Sequence, residues 1–273
     1  MNAIKAAVAA GHPSLGLWSC VGSTLLAEVA GRAGMDWVLF DTQHGAVSDG
    51  DLLACIQAVE LGGSAPLVRV GANDPRLIMR ALDLGAAGVV VPLVSSAQEA
   101  ADMVAAVRYP PLGTRSFGPV RSFYDLGHDS GSPLCLAMIE TAAGLADVDA
   151  IAATPGLDGL FLGPVDLALD LGHALADAWK PDVLRGPVER VVAAAERHGV
   201  VVGAPALSTE MAEWLLAAGV QLVSIGSDIG HVTAGFAADA KRRDDWRDRY
   251  HRPRTRTEPA CAGTKSTGTD TVR

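Results

Sequence analysis

Cysteine is scarce and scattered in this chain. The four thiols, Cys20, Cys55, Cys135 and Cys261, show no metal-type spacing, which speaks against a cysteine-held metal. Three of them lie inside apolar patterns, where a thiol acts as a small hydrophobe, and they read as reduced core cysteines. No apolar run reaches the ~20 residues needed to span a bilayer, and the amino-terminal stretch lacks the long apolar segment and cleavage pattern of a signal peptide. A soluble, cytoplasmic protein is expected. Cations are in the minority, with 22 Lys and Arg against 31 Asp and Glu and a net charge of -9. That balance argues against nucleic acid or an anionic membrane as the main partner, since both attract basic surfaces. A glycine-rich dinucleotide loop after the first strand is also missing, which weakens the case for a doubly wound open sheet.

What is present is a large apolar complement, 49% of 273 residues, enough for one sizeable core. After a short first helix, strands are expected at Leu15–Ser19, Trp37–Phe40, Pro66–Val70, Gly88–Leu93, Leu134–Ile139, Gly159–Leu162, Val200–Gly203 and Gln221–Ile225. Helices fall between them. One runs over Thr24–Arg32, and another starts at Ser48 and ends at Gly62-Gly63. A third is capped by Asn73 or Asp74 with Pro75 at its first position, and a fourth opens with the capping-box spacing of Ser96 and Glu99. Further helices are expected at Ala142–Ala153, Pro187–His198 and Ser208–Ala218. Apolar parallel-type strands alternating with helices over about 240 residues fit a (β/α)8 barrel. Residues 1–250 are expected to form this single domain. Periodicity fails between Tyr109 and about Ser132, a segment longer than ordinary connections, and residues 251–273 have the polar composition of a disordered tail.

In such a barrel the useful polar residues are those at the carboxyl ends of strands. The apolar run Trp37–Phe40 stops at Asp41, and His44 follows before Gly45. A carboxylate that orients an imidazole makes a useful general base, although the same residues also serve as a turn-capping aspartate beside a surface histidine. Arg69 sits within Leu67-Val68-Arg69-Val70 and therefore needs a carboxylate or an oxyanion partner, or else forms an internal salt bridge. Glu140 ends an apolar strand, and Asp166 follows another within Gly163-Pro164-Val165-Asp166-Leu167, where it could equally cap a short helix. Two carboxylates from separate strands suit a hard ion such as Mg2+ or Mn2+ better than zinc, and N–H groups at the helix start could hold a substrate carboxylate. Together these groups meet the requirements for forming an enolate beside a carbonyl. Asp83, near the end of a helix, could orient a neighbour. The remaining histidines, His231 and the loop residue His128 among them, lack comparable contexts.

These residues make the chain resemble the metal-dependent pyruvate aldolases, the 4-hydroxy-2-oxoheptanedioate and 2-dehydro-3-deoxyglucarate aldolase type. The resemblance covers roughly Leu15 to Val232. It is carried by Phe40-Asp41-Thr42-Gln43-His44, Val68-Arg69, Leu82-Asp83-Leu84-Gly85-Ala86, Val91-Pro92, Arg108 to Arg115, Ile139-Glu140-Thr141 and Leu162 to Leu167. It implies reversible retro-aldol cleavage of a 4-hydroxy-2-oxo acid to pyruvate and an aldehyde through a metal-bound pyruvate enolate. Oxaloacetate-type decarboxylases and acyl-CoA lyases share that enolate chemistry. It further implies Glu140 and Asp166 as ligands of Mg2+ or Mn2+, with Co2+ also usable, and Arg69 on the enolate oxygen. His44 with Asp41 would form the acid–base dyad, supported by Asp83. Pyruvate's carboxylate would sit against Gly163, Pro164, Val165 and Asp166, and the loop Gly113 to Gly118 would border the site. The barrel would exchange its last helix with a neighbour in a homo-oligomer, commonly a hexamer built from dimers. One departure stands out: Gln43 occupies a position where the family usually has glutamate.

Overall fold

Side chains of a strand alternate between its two faces, and in this chain that alternation divides the core in two. The computed structural model describes residues 3–118, 121 and 133–251. Eight parallel strands, numbered β1 to β8 in chain order, close into a barrel in which each pairs with the next and β8 pairs with β1. They are Ser14–Ser19, Trp37–Asp41, Ala65–Arg69, Gly88–Val91, Leu134–Ile139, Gly159–Leu162, Val201–Pro205 and Leu222–Ser227. One set of residues, including Trp37, Leu39, Leu67, Val90, Leu136, Met138, Phe161 and Leu222, fills the barrel together with Ile4. The other set, including Val38, Phe40, Val68, Val89, Val91, Ala137 and Ile139, packs against the surrounding helices. The barrel is a filled core, as this architecture requires.

Three of the early helices begin on side-chain caps. Ser23 accepts from the Leu26 N–H ahead of α2 (Thr24–Arg32), and Asp74 accepts from the Arg76 N–H ahead of α4 (Pro75–Asp83). Ser96 accepts from the Glu99 N–H ahead of α5 (Ala97–Val107), while the Glu99 carboxylate reaches Ser95 rather than completing the box on Ser96. α1 (Ala3–Ala9) and α3 (Asp49–Gly62) complete the first half of the chain. Three expectations change. The helix expected over Ala142–Ala153 is two short ones, α6 (Ala142–Ala146) and α7 (Val148–Ala152), parted at Asp147. The helix expected to start at Pro187 starts at Pro181 (α9, Pro181–His198), because Leu184 is buried in series with Val188, Val191 and Ala195. The fourth strand ends at Val91, short of Leu93.

α8 (Pro164–Asp170) and α10 (Thr209–Ala217) follow β6 and β7, and α11 (Asp228–Arg249) starts directly after β8. The chain divides into two compact units, the first ending at Val232 and the second beginning at Thr233. In the second unit, residues 233–251 are all solvent-exposed. Most of the long segment near Tyr109–Ser132 and nearly all of the tail 251–273 lie outside the described residues. No helix among the described residues is long and apolar enough to cross a membrane.

α2 and α3 meet where neither has a side chain. A Cβ on Gly62 would stand 2.2 Å from the Gly31 carbonyl carbon, and one on Gly31 would stand 2.8 Å from the Val59 carbonyl oxygen. Backbone cannot yield as a flexible side chain does, so Gly62→Ala is expected to cost about 3 kcal/mol. Gly50→Ala, in the same helix with only the Ser48 hydroxyl 3.5 Å away, should instead gain about 0.5 kcal/mol from helix propensity. Urea unfolding of the two variants checks the opposite signs.

Candidate active site

Carrying the interior alternation past the last barrel-filling residue of each strand locates the site. Beyond Leu39 the next interior position is Asp41, beyond Leu67 it is Arg69, beyond Met138 it is Glu140, and beyond Phe161 it is Gly163. All but Asp41 line a cavity of about 700 Å3 at the carboxyl ends of the strands, joined there by Trp18, Cys20, His44, Pro205 and Ser224. Asp41 lies directly beneath it.

Asp41 and Arg69 are register partners on adjacent strands. Arg69 Nε donates to Asp41 Oδ1 at 2.9 Å and Nη2 donates to Oδ2, a two-pronged pair with the two residues 8% and 2% exposed. The Trp18 indole N–H donates to Oδ2 at 3.2 Å, and the Arg69 guanidinium lies over the Trp18 ring at 4.9 Å. Burial alone would push the Asp41 carboxyl up, but the bonds and charge of Arg69, helped by the His44 N–H and the Trp18 indole, hold it below its ordinary value. Among the described residues no hydrogen bond uses Arg69 Nη1, so that group remains available to an oxyanion in the cavity.

The contact expected between Asp41 and the His44 imidazole takes another form. Asp41 Oδ1 accepts from the backbone N–H groups of Gln43 and His44 at 3.0 and 3.1 Å. The carboxylate therefore shapes the turn that presents His44, and the imidazole itself lines the cavity in a solvent-exposed position. Gln43 leaves its amide oxygen buried with no partner among the described residues. The turn is also tied to β1, since Ala46 N–H donates to the Cys20 carbonyl at 2.7 Å. Asp228 anchors Cys20 in turn, accepting from Ser19 Oγ and from the N–H groups of Cys20 and Val21 at 2.8 to 3.0 Å.

Glu140 and Asp166 face the same cavity from β5 and from the first turn of α8. Burial pushes the Glu140 carboxyl up to about 7, with the Leu93 N–H and Arg69 opposing the rise and Asp166 and Asp41 adding to it. Glu140 Oε1 accepts from the Leu93 N–H at 2.7 Å. Leu93 presents that N–H with φ of 59°, left-handed backbone rare for a leucine. A Cβ at position 163 would come 2.6 Å from Glu140 Oε2, so only glycine leaves room there for the carboxylate. With Pro164 at the first helical position, Val165 and Asp166 lie in the first turn of α8, where N–H groups lack an intrahelical partner, and both residues line the cavity. Two oxygen-only side chains with excess negative charge fit a hard divalent cation. Among the described residues no group of three or more ligating side chains converges, so further ligands would be water or substrate oxygens.

Asp83 does not join this cavity within the chain. It closes α4 just before β4 and pairs with Arg115, with 2.8 Å between Arg115 Nη2 and Asp83 Oδ1. Arg115 N–H donates to the Arg108 carbonyl, and Arg108 reaches Pro133 and Asp158, which precede β5 and β6. Asp83 and the loop Gly113–Gly118 thus lie at the amino ends of the strands, on the opposite face of the barrel from His44. Sequence reading also passed over Trp18, Trp179, Leu207, Ile225 and His231, all of which line the cavity. Trp18 could have been found from its interior parity on β1; Trp179 and Leu207 sit on connections, Ile225 near the end of β8 and His231 in the first turn of α11, positions whose direction only the fold sets.

A (β/α)8 barrel with an arginine, a histidine and two carboxylates converging at the strand carboxyl ends has the layout of an enzyme of this fold. The family model described as HpcH/HpaI aldolase/citrate lyase matches residues 14–234, and the chain belongs to that family. It is 39% identical over 253 residues to the hydroxypyruvate/pyruvate aldolase of Rhizorhabdus wittichii, covering 88% of this chain and 99% of that one. It is 38% identical over 222 residues to the 2-dehydro-3,6-dideoxy-6-sulfogluconate aldolase of Pseudomonas putida, covering 79% and 86%. The solved structure of an HpcH/HpaI aldolase/citrate lyase family protein from Burkholderia cenocepacia superposes with a TM-score of 0.81 at 33% identity, covering 89% of this chain and 100% of that one.

Breaking a buried ion pair from one side costs about 3–5 kcal/mol, so Asp41→Asn should lose roughly that much stability near neutral pH. Because the folded-state pKa of Asp41 is depressed, its contribution is present above the ordinary carboxylate pKa and is lost as pH falls through the folded value. The deficit of the variant should therefore shrink in strong acid. Urea unfolding at graded pH reads it, and a deficit that does not change with pH would contradict the assignment.

Proposed function

We propose that the protein is a carbon–carbon lyase that reversibly cleaves a 4-hydroxy-2-oxo acid into pyruvate and an aldehyde. The observation that carries this reading is the convergence in one cavity of a cavity-lining imidazole, an arginine held by a buried carboxylate, and a pair of under-compensated carboxylates. The activities named for the relatives support the same reaction class. An acyl-CoA substrate is disfavoured, because no lysine and no second arginine lines the cavity among the described residues. The free Cys20, Cys55 and Cys135 agree with work in the reducing cytoplasm.

In the synthetic direction, His44 takes a proton from the pyruvate methyl carbon, and the electron pair moves into the C2 oxygen. The resulting carbon nucleophile forms a bond to the aldehyde carbonyl carbon, whose oxygen takes a proton back from His44, so protons and electrons balance over the cycle. Arg69 Nη1 donates to the oxygen on which negative charge develops, and Asp41 keeps the guanidinium aimed there. The Val165 and Asp166 N–H groups receive the pyruvate carboxylate, and Gly163 and Pro164 shape that turn. A divalent cation, Mg2+ or Mn2+ with Co2+ as a further option, held by Glu140 and Asp166, would supply Lewis-acid polarisation of the 2-oxo carbonyl.

Deuterium exchange into the pyruvate methyl group in D2O tests the enolate without any aldehyde. Exchange is expected with Mg2+ or Mn2+, is expected to vanish with chelator, and should fall about 10²–10⁴-fold in His44→Ala. Exchange that survives chelation would contradict the two-carboxylate site, and its absence with metal would contradict the reading as a whole.

The quaternary proposal is a homo-oligomer, a hexamer or trimer of dimers, in which the last helix is exchanged between neighbours. What supports it is the second unit, whose described residues include Phe236, Trp246 and Tyr250 with 55% or more of their surface exposed. Sedimentation should give a multiple of the chain mass, falling when Phe236→Asp and Trp246→Asp are combined. A monomeric parent at micromolar concentration would dispose of the idea.

A further inference from the structure

The cavity's volume of about 700 Å3 is far more than a three-carbon acid fills, and its rim is not uniform. His44, Arg69, Glu140 and Asp166 occupy the side supplied by β2, β3, β5 and β6. The remaining arc runs from the connection between β6 and β7 through β8 to β1 and is walled by Trp179, Leu207, Ile225 and Trp18. Cations are absent from this arc among the described residues: the one guanidinium of the cavity, Arg69, is paired with Asp41. Two of its hydroxyls already serve the local backbone. Ser224 Oγ donates to the Gly226 carbonyl and Ser227 Oγ accepts the Gly230 N–H, both at 3.1 Å. His231 is its single ionisable nitrogen-bearing side chain.

A carboxylate, sulfonate or phosphate laid against this arc would lose hydration without gaining a fixed cation. A hydroxyl-rich chain would leave hydroxyls unpaired wherever it lies against the Trp179, Leu207 and Ile225 side chains. On the reading of the site as a pyruvate aldolase, we infer that the second substrate is an uncharged aldehyde with an apolar body, an aryl or branched alkyl group seated against Trp179, Leu207 and Ile225.

The test measures kcat/KM for aldol addition of pyruvate to benzaldehyde, isobutyraldehyde, glyceraldehyde, succinate semialdehyde and glyceraldehyde 3-phosphate, with deuterium exchange into pyruvate followed in parallel. Benzaldehyde and isobutyraldehyde are expected to exceed the other three by roughly 10–200-fold, the range an apolar pocket achieves. In Leu207→Arg, at a position 69% exposed and so able to carry a charge, the ratio of benzaldehyde to succinate semialdehyde should fall roughly tenfold as the carboxylate gains a partner. Ile225→Lys on the neighbouring strand provides a second, independent reading of the same shift. Preference for an anionic or hydroxylated aldehyde while pyruvate still exchanges would overturn this inference alone. No exchange and no addition to any aldehyde would overturn it together with the aldolase reading. A ratio unmoved in both variants would remove the aldehyde body from this arc and overturn the assignment.

Discussion

The site depends on one buried ion pair. Asp41 and Arg69 end adjacent strands in register, at the first interior positions beyond the apolar filling of the barrel. Neither could be buried there alone at tolerable cost. Once paired, each has capacity left over: Asp41 accepts the Trp18 indole and two turn N–H groups, and Arg69 retains one Nη. The pair therefore closes one side of the barrel mouth, sets the turn that carries His44 and aims a cation into the cavity.

The opposite side of the mouth is built from local backbone constraints. Glu140 is held over Gly163, where any side chain would displace it, and it accepts from Leu93, whose left-handed backbone is unfavourable for its residue type. Strain of this sort persists where surrounding structure over-determines it. The result is a carboxylate whose protonation is raised by burial and by the nearby Asp166. Charge on the two sides is thus arranged differently: the Arg69 side is neutralised internally, and the Glu140 side leaves its carboxylates without an ion-pair partner among the described residues. The proposed enolate chemistry draws on that asymmetry.

Much of this was legible in the chain itself, and for specific reasons. The strand starts and stops are marked by apolar runs interrupted by Gly, Pro, Asp and Glu, so all eight strands were found, and the polar residues that end them named Asp41, Arg69, Glu140 and Asp166. Asp83 shows the limit of that reading. Its motif placed it with the dyad, yet a helix that returns antiparallel to the strands ends at the barrel's other face, where Asp83 meets Arg115 instead. The start of α9 differs as well, because a proline at position 187 mimics a helix start.

The sequence by itself determined the barrel and the identity of the groups at its mouth, since period-two burial and chain-local capping are written into neighbouring residues. Only the tertiary structure decided how those groups are used. That Asp41 serves Arg69 and the backbone before it serves the His44 ring depends on the register of two strands separated by 28 positions. That Trp179, Leu207, Ile225 and His231 border the same cavity depends on closure of β8 against β1. These contacts join residues distant in the chain, and no local pattern encodes a distance that only closing the barrel creates.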